Sequence, residues 1–410
     1  MDTIQKFDYI VVGCGGVGSA AVYWLSKRAG KRVLGLEQFR LGHGNGGSQD
    51  WTRILRMSYS APEYIPLARD SKEGWLEAER ESGMKLVYTT GGLDIAMRGT
   101  LGHNCLEKFA KSMEDKNVEF ERYEGKSIKN KFPQFAATSK WISLFQKDAG
   151  IIDAALANAV HIQLARRQGA TVIENAAVVC LSRDGDLTKV CTTQGDFFCK
   201  KVIVTSGAWT NDVISSLGMK LPITVTQEQV TYFATPHMKE FTKDRFPVVF
   251  LHTGYPAAPY FLPIHGNTGF KTGLDLGGRV VTPQTRTFVP DERRRRKERR
   301  YVAELCPKAL GPTLYTKTCL YALTPDRHYI MDTCEVAGYS DVIVFVGAAH
   351  AYKMAPVLGK ILSQMAIDGN TPYDIRSFSL RRPAITDRDY TPCFQLDTAV
   401  VEEDVVPSSL

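Results

Sequence analysis

Long apolar stretches are missing from this chain: no run of eighteen apolar residues occurs in its 410, which excludes a membrane-spanning helix by length alone. The N-terminus offers no apolar signal core before its first strand-like stretch, so secretion is not expected. Cysteine is present nine times, but the number is odd, the residues are scattered and none forms a C-x-x-C pair. Neither a disulfide framework nor a zinc site is therefore expected, and a reducing compartment is. Charge of one sign is not in strong excess. A net +7 over this length suits an acidic cofactor and an anionic substrate as well as it suits nucleic acid. No internal repeat is apparent. What remains is 44% hydrophobic and 23% charged, the composition of a globular protein with room for two or three domains.

The chain is organised around its first forty residues. Tyr9, Ile10, Val11 and Val12 form the short apolar run of a parallel strand covered on both faces. Gly13, Gly15 and Gly18 follow as G-x-G-x-x-G. The first allows a tight turn, the second lets a pyrophosphate approach the backbone, and the third lets helix and strand pack closely. A helix over about Val17 to Lys27 then points its N-terminus at phosphate. Val33 to Leu36 read as a second strand ending at Glu37, where a carboxylate can accept both ribose hydroxyls of an adenosine. An acid there argues against a 2'-phosphate, so FAD or NAD is favoured over NADP.

The segment Gly42 to Ser48 is too glycine-rich for a helix or strand and reads as a loop lying against a cofactor. Thr52-Arg53-Ile54-Leu55-Arg56 places two guanidinium groups three residues apart beside it. Helices are expected over 63–82, 101–114, 153–167 and 355–367, and strands over 86–97. Buried strands with glycine exits are expected at Lys201 to Val204 and Asp341 to Val346, returning the chain to the nucleotide domain. Residues 221–318 read as strand-rich, with Tyr255, Tyr260 and Phe261 near Lys271 and Asp275. Arg293 to Arg300 carries six Arg, one Lys and one Glu; with no groove-reading motif beside it, it reads as the solvated face of a helix rather than a nucleic-acid patch. The tail after Pro383 has no usable periodicity.

These residues resemble the sarcosine oxidase and pipecolate oxidase family of FAD-dependent amine oxidases, including its nikkomycin-pathway branch acting on piperideine carboxylate. The likeness runs from Phe7 to about Pro383 and is most specific over Cys319-Leu320-Tyr321-Ala322-Leu323-Thr324-Pro325-Asp326-Arg327-His328-Tyr329-Ile330-Met331-Asp332. It implies a covalent FAD joined through its 8α-methyl to Cys319, as a reactive thiolate would allow. The resemblance further implies that Arg53 lies at the flavin and that Arg56 and Lys353 bind a substrate carboxylate. It places Lys271 where the family keeps the lysine that promotes reoxidation by oxygen, and Tyr260 on a pocket tyrosine. Thr52, Ser48 and Gly347 fall among the cofactor-binding positions. Two departures stand out: Asp275 replaces a histidine four residues after that lysine, and Gln49 replaces another just before the arginine segment. Asp275 resembles the nikkomycin-pathway branch and puts sarcosine itself in doubt as substrate.

The expected architecture is α/β plus α+β: a doubly wound FAD-binding domain (1–85, 150–220 and 319–385), an inserted, mainly antiparallel catalytic domain (86–149 and 221–318), and a tail, 386–410. The expected reaction oxidises a secondary or cyclic amino acid to an imine, with oxygen reduced to hydrogen peroxide. A flavin dehydrogenase of the same fold and a catalytically silent dinucleotide-binding protein are the alternatives. The expected partners are a carboxylate-bearing amino acid and oxygen, with no nucleic acid, no membrane and a monomeric state. The last residues, Ser408-Ser409-Leu410, are similar to a peroxisomal address without its basic centre, so the expected location is peroxisomal or cytoplasmic.

Overall fold

The computed structural model describes residues 5–254 and 258–394. Two large sheets carry the chain. The first has eight strands. At its centre Gln5–Val12 runs parallel to Val33–Leu36 on one side and to Gly195–Val204 on the other. Thr171–Ile173 extends it beyond Val33–Leu36, and Tyr339–Val346 pairs in parallel with the end of Gly195–Val204. Ile10, Val11, Val33, Leu34, Val202 and Ile203 are fully buried, the pattern of parallel strands covered on both faces. Helix Gly16–Ala29 covers one face beside Ala355–Asp368. A Cβ on Gly359 would stand 2.7 Å from Ala20 Cβ, so that glycine sets how closely the two helices cross.

The second sheet has nine strands. From one edge it runs Glu121–Glu124, Trp141–Gln146, Gly92–Met97, Val248–His252, Ala258–Leu262, Phe270–Asp275 and Thr224–Phe233, the last of which also pairs with the short Arg279–Val280 and, on its far side, with Thr313–Leu323. Its pairings are antiparallel except between Gly92–Met97 and Val248–His252. A small three-stranded sheet, Thr52–Leu55, Gly150–Asp153 and Val87–Thr89, joins the two parts of the chain. Thr313–Leu323 stays bonded to the large sheet as far as Leu323. Cys319 is thus carried by that sheet, and the boundary expected at 319 falls inside a strand.

The basic run lies on helix Glu292–Leu305, capped by Asp291, whose side chain accepts from the Arg293 and Arg294 amides. Arg294, Glu298, Tyr301, Val302 and Leu305 are buried, a spacing that lays one face on the sheet, while Arg296, Arg299 and Arg300 are exposed. One expectation is corrected. Cys180 and Cys191 form a disulfide with Cα atoms 5.1 Å apart, because they stand directly opposite each other in the hairpin of Val178–Asp184 and Leu187–Thr192. Strand register brings them together, and sequence spacing alone gives no sign of it. Tyr255 and the C-terminal tripeptide lie outside the described residues.

Candidate active site

The glycine turn opens a groove lined by Gly13, Gly15, Glu37, Ser48 and Gln49. Gly13 has φ +92°, a conformation that L side chains rarely adopt. Gly18 lies beneath the turn, where a Cβ would collide with Gly13 O. Helix Gly16–Ala29 starts from Gly15, which has no side chain to cap it, and carries no acid in its first turn, so its N-terminal dipole meets the groove. The Gly16 amide donates to Ser48 Oγ at 2.8 Å. Glu37, 4% exposed, accepts from the Cys14 amide at 2.9 Å and the Phe39 amide at 3.1 Å, which fixes its carboxylate at the end of its strand.

Gly15, Gly47, Ser48 and Gln49 also line a second cavity of about 540 Å³, so groove and cavity share a wall. Around this cavity stand Thr52, Arg53, Arg56, Tyr260, Lys271, Asp275, Cys319, Gly347 and Lys353. Strand periodicity explains the grouping: Lys271, Gly273 and Asp275 share one face of Phe270–Asp275, as Lys317, Cys319 and Tyr321 share one face of Thr313–Leu323. Tyr260 stands opposite Gly273 in the register, and a Cβ on Gly273 would meet its hydroxyl.

The cations are not equivalent. Lys271 Nζ lies 2.6 Å from Asp50 Oδ2 and donates to Thr52 O at 2.8 Å. Burial pulls its pKa down to about 8 despite Asp50, with Arg53 acting in the same direction as burial. Arg53 donates to Thr52 O at 2.9 Å and Gly47 O at 2.8 Å, and rests over the Tyr352 ring at 5.4 Å. Arg56 Nη1 donates to Asp94 Oδ1 at 2.8 Å. Lys353 donates to His350 O at 3.3 Å, and among the described residues no carboxylate lies within ion-pair reach of it. Burial, reinforced by Arg56, lowers its pKa to about 7. The Cys319 thiol is pushed up to about 11 by burial, with Arg53 opposing.

Asp275 is engaged by Arg327 through two bonds, 3.0 Å from Nη1 and 3.3 Å from Nη2. Burial would raise its pKa, but Arg327 holds it below the usual carboxylate range. Sequence reasoning passed over Arg327, Asp94 and, above all, Asp50. Besides Lys271, Asp50 accepts from Tyr232 Oη at 2.8 Å and lies 3.6 Å from Lys317 Nζ. Burial opposes its ionisation, and Lys271 and Arg53 overcome it, so Asp50 stays ionised below the usual range. The available signal was an acid three residues before Arg53. Among the described residues no group of three or more His, Cys, Asp and Glu could hold a metal ion, and no helix is long and apolar enough to cross a membrane.

A glycine-turn groove that opens into a cavity walled by a mainly antiparallel sheet is the layout of a dinucleotide-dependent oxidoreductase. Comparison with known proteins narrows this class. The chain belongs to the FAD dependent oxidoreductase (DAO) family, whose model matches residues 8–365. It is 29% identical over 394 residues to a monomeric sarcosine oxidase of an Arthrobacter species, covering 95% of this chain and all of that one. It is 27% identical over 382 residues to an Escherichia coli N-methyl-L-tryptophan oxidase, covering 92% of this chain and 100% of that one. Among solved structures it superposes on NikD, an amino acid oxidase of nikkomycin biosynthesis, with a TM-score of 0.81 and 25% identity over 92% of this chain and 97% of that one. The helix start free of acids, the glycines a Cβ would obstruct and the seated Glu37 all fit FAD.

Proposed function

We propose that this protein oxidises a secondary or cyclic amino acid, of the N-methyl, N-alkyl or pipecolate type, to the corresponding imine, passing the two electrons and two protons to oxygen to give hydrogen peroxide. The observation that carries this reading is Lys353, a partly buried cation with no carboxylate in ion-pair reach among the described residues, set in the same cavity as Lys271, Arg56 and Cys319. Gly13, Gly15, Gly18, Glu37, Ser48, Thr52, Arg53 and Gly347 would hold FAD, with Cys319 as its point of covalent attachment. When bound, FAD supplies the two-electron acceptor.

The side chains do the rest. Lys353 and Arg56 bind and orient the substrate carboxylate, which fixes the α-carbon and its nitrogen in the cavity. The nitrogen lone pair must be free for the carbon–hydrogen bond to break. A cation about 4 Å from the amine, at an effective dielectric near 20, costs its protonated form on the order of 4 kcal/mol, or about three pKa units. Arg53 and Lys353 thus favour the neutral amine, whereas the charge of Lys271 is offset by Asp50 at 2.6 Å. Asp275, held by Arg327, offers a compensating negative charge as positive charge develops on nitrogen, and Tyr260 closes the wall beside it. Lys271 is assigned to the oxygen-consuming half of the cycle.

In this reading 1–85, 150–220 and 324–385 build the FAD-binding part, 86–149 and 221–323 the catalytic part, the boundary expected at 319 moving to the end of strand Thr313–Leu323, and 386–410 a tail on a monomeric protein. The tripeptide Ser408-Ser409-Leu410 supports peroxisomal import, and a reporter carrying the last ten residues that stays cytosolic would refute that assignment. The function is tested by mixing the anaerobic holoenzyme with N-methyl, N-alkyl and cyclic amino acids. At least one should bleach the flavin, and one peroxide should form per turnover in air. No bleaching with any of them removes the reading, and bleaching without peroxide redirects it to a dehydrogenase.

A further inference from the structure

Arg56 does not reach the cavity as an unbalanced cation. The Asp94 oxygen that receives its Nη1 lies 2.8 Å from His252 Nε2 as well, and the other oxygen of Asp94 accepts from Ser58 Oγ at 2.6 Å. Asp94 is 4% exposed, Ser58 1% and His252 6%. Sheet register sets Asp94 opposite Phe250, and the Phe250 ring lies against the guanidinium at 4.5 Å. Three elements therefore hold Arg56 in place: strand Gly92–Met97 through Asp94, strand Val248–His252 through Phe250 and His252, and its own segment through Ser58. Burial would raise the Asp94 pKa, but Arg56 and then His252 keep it below the usual range. An ionised acid beside a carboxylate-binding arginine repels the very group that arginine is meant to bind, and nothing in the chemistry above requires it.

We propose that Asp94 is a positioning residue that acts through Arg56, fixing the guanidinium and cancelling much of its charge so that substrate and product carboxylates are held weakly enough to exchange. The inference rests on the reading that Arg56 meets the substrate carboxylate. It divides the labour between two cations: Arg56 supplies direction, and Lys353 supplies the uncompensated charge. Arg56 lines the cavity, and Asp94 and His252 do not.

The test uses the oxidised holoenzyme and two unreactive probes of nearly one shape, 2-furoate and the uncharged 2-furamide, with binding read from flavin absorbance and calorimetry. Asp94→Asn removes the countercharge without changing shape, and should tighten furoate about tenfold or more while leaving furamide within about twofold. KM for the amino acid should fall, and kcat with it as product release slows. In an Arg56→Met background the same substitution should no longer tighten furoate, because the effect passes through Arg56. His252→Leu leaves the shared oxygen to Arg56 alone and should weaken furoate severalfold; it carries the test if Asp94→Asn fails to fold. If Asp94→Asn weakens furoate or leaves it unchanged while Arg56→Met weakens it, the role given to Asp94 is wrong and the carboxylate reading stands. If Arg56→Met itself leaves furoate unchanged, the carboxylate reading falls and takes this inference with it.

Discussion

Replacing Asp50 with asparagine should turn Lys271 from a cation into a neutral amine at physiological pH. The two groups are 2.6 Å apart and both 4% exposed. Unit charges at that separation and an effective dielectric near 20 attract by about 6 kcal/mol at most; taking half as surviving relaxation leaves roughly 3 kcal/mol, or about two pKa units. Lys271, already pulled to about 8, would then titrate near 6. Because its folded pKa lies below the unfolded value of 10.5, Lys271 contributes stability that is fully present above that value and is lost as pH falls through about 8. In Asp50→Asn the loss continues down to about pH 6. The measurement is stopped-flow reoxidation of the substrate-reduced holoenzyme between about pH 5.5 and 9, paired with NMR of ε-13C-lysine to read the ionisation directly. Wild type should lose oxygen reactivity as pH rises through about 8; the variant should be slow at pH 7 and recover on acidification, with its reductive step spared. An unchanged rate and profile in Asp50→Asn, or a Lys271→Met enzyme that reoxidises normally, would refute the reasoning.

Lys353→Met leaves a bound carboxylate without its cation, a loss of about 2 to 5 kcal/mol, or roughly thirtyfold to several thousandfold in kcat/KM. Reductive half-reaction kinetics at subsaturating substrate should reveal it with FAD still bound. Since the Lys353 pKa is lowered to about 7, carboxylate binding to wild type should weaken as pH rises past that value, which calorimetric titration with 2-furoate across pH 6 to 9 would check. Gly18→Ala forces a methyl into Gly13 O and should abolish FAD retention on a desalting column, whereas Gly44→Ala, with open space around its Cβ position, should leave it intact. Wild-type protein should stay yellow after acid precipitation and Cys319→Ala should release its colour; equal release from both would exclude a covalent link.

The nucleotide half was largely legible in the sequence because its rules are local. The second strand falls at Val33–Leu36 as expected, and the last long helix runs Ala355–Asp368, since buried parallel strands and glycine turns leave contiguous marks. The first helix extends to Gly16–Ala29, a residue or two beyond each expected end. The catalytic sheet was legible in kind and not in pairing. Which strand faces which is decided by register, and register brought Cys180 to Cys191, Tyr260 to Gly273 and Asp94 to Phe250. The resemblance gathered Arg53, Arg56, Tyr260, Lys271, Asp275, Cys319 and Lys353, which share one cavity. It gave no hint of the acids behind the cations. Asp94 interrupts the otherwise apolar stretch Gly92–Met97, and a buried acid in such a stretch implies a cationic partner. Arg327 lay inside the most specific segment, yet its pairing with Asp275 depends on a turn in which it takes φ +58°.

Gly273 gives the cavity wall a lever that involves no functional group at all. The space a side chain would occupy there is taken by the hydroxyl end of Tyr260, so the position of that ring depends on an absent methyl. A lineage or an engineer wishing to shift the enzyme from one amine to another need not disturb the cations, the acids behind them or the cofactor groove. One carbon added at Gly273 would displace the tyrosine from its present place in the cavity wall, and the cavity would change through shape while the charge pattern stayed as it is.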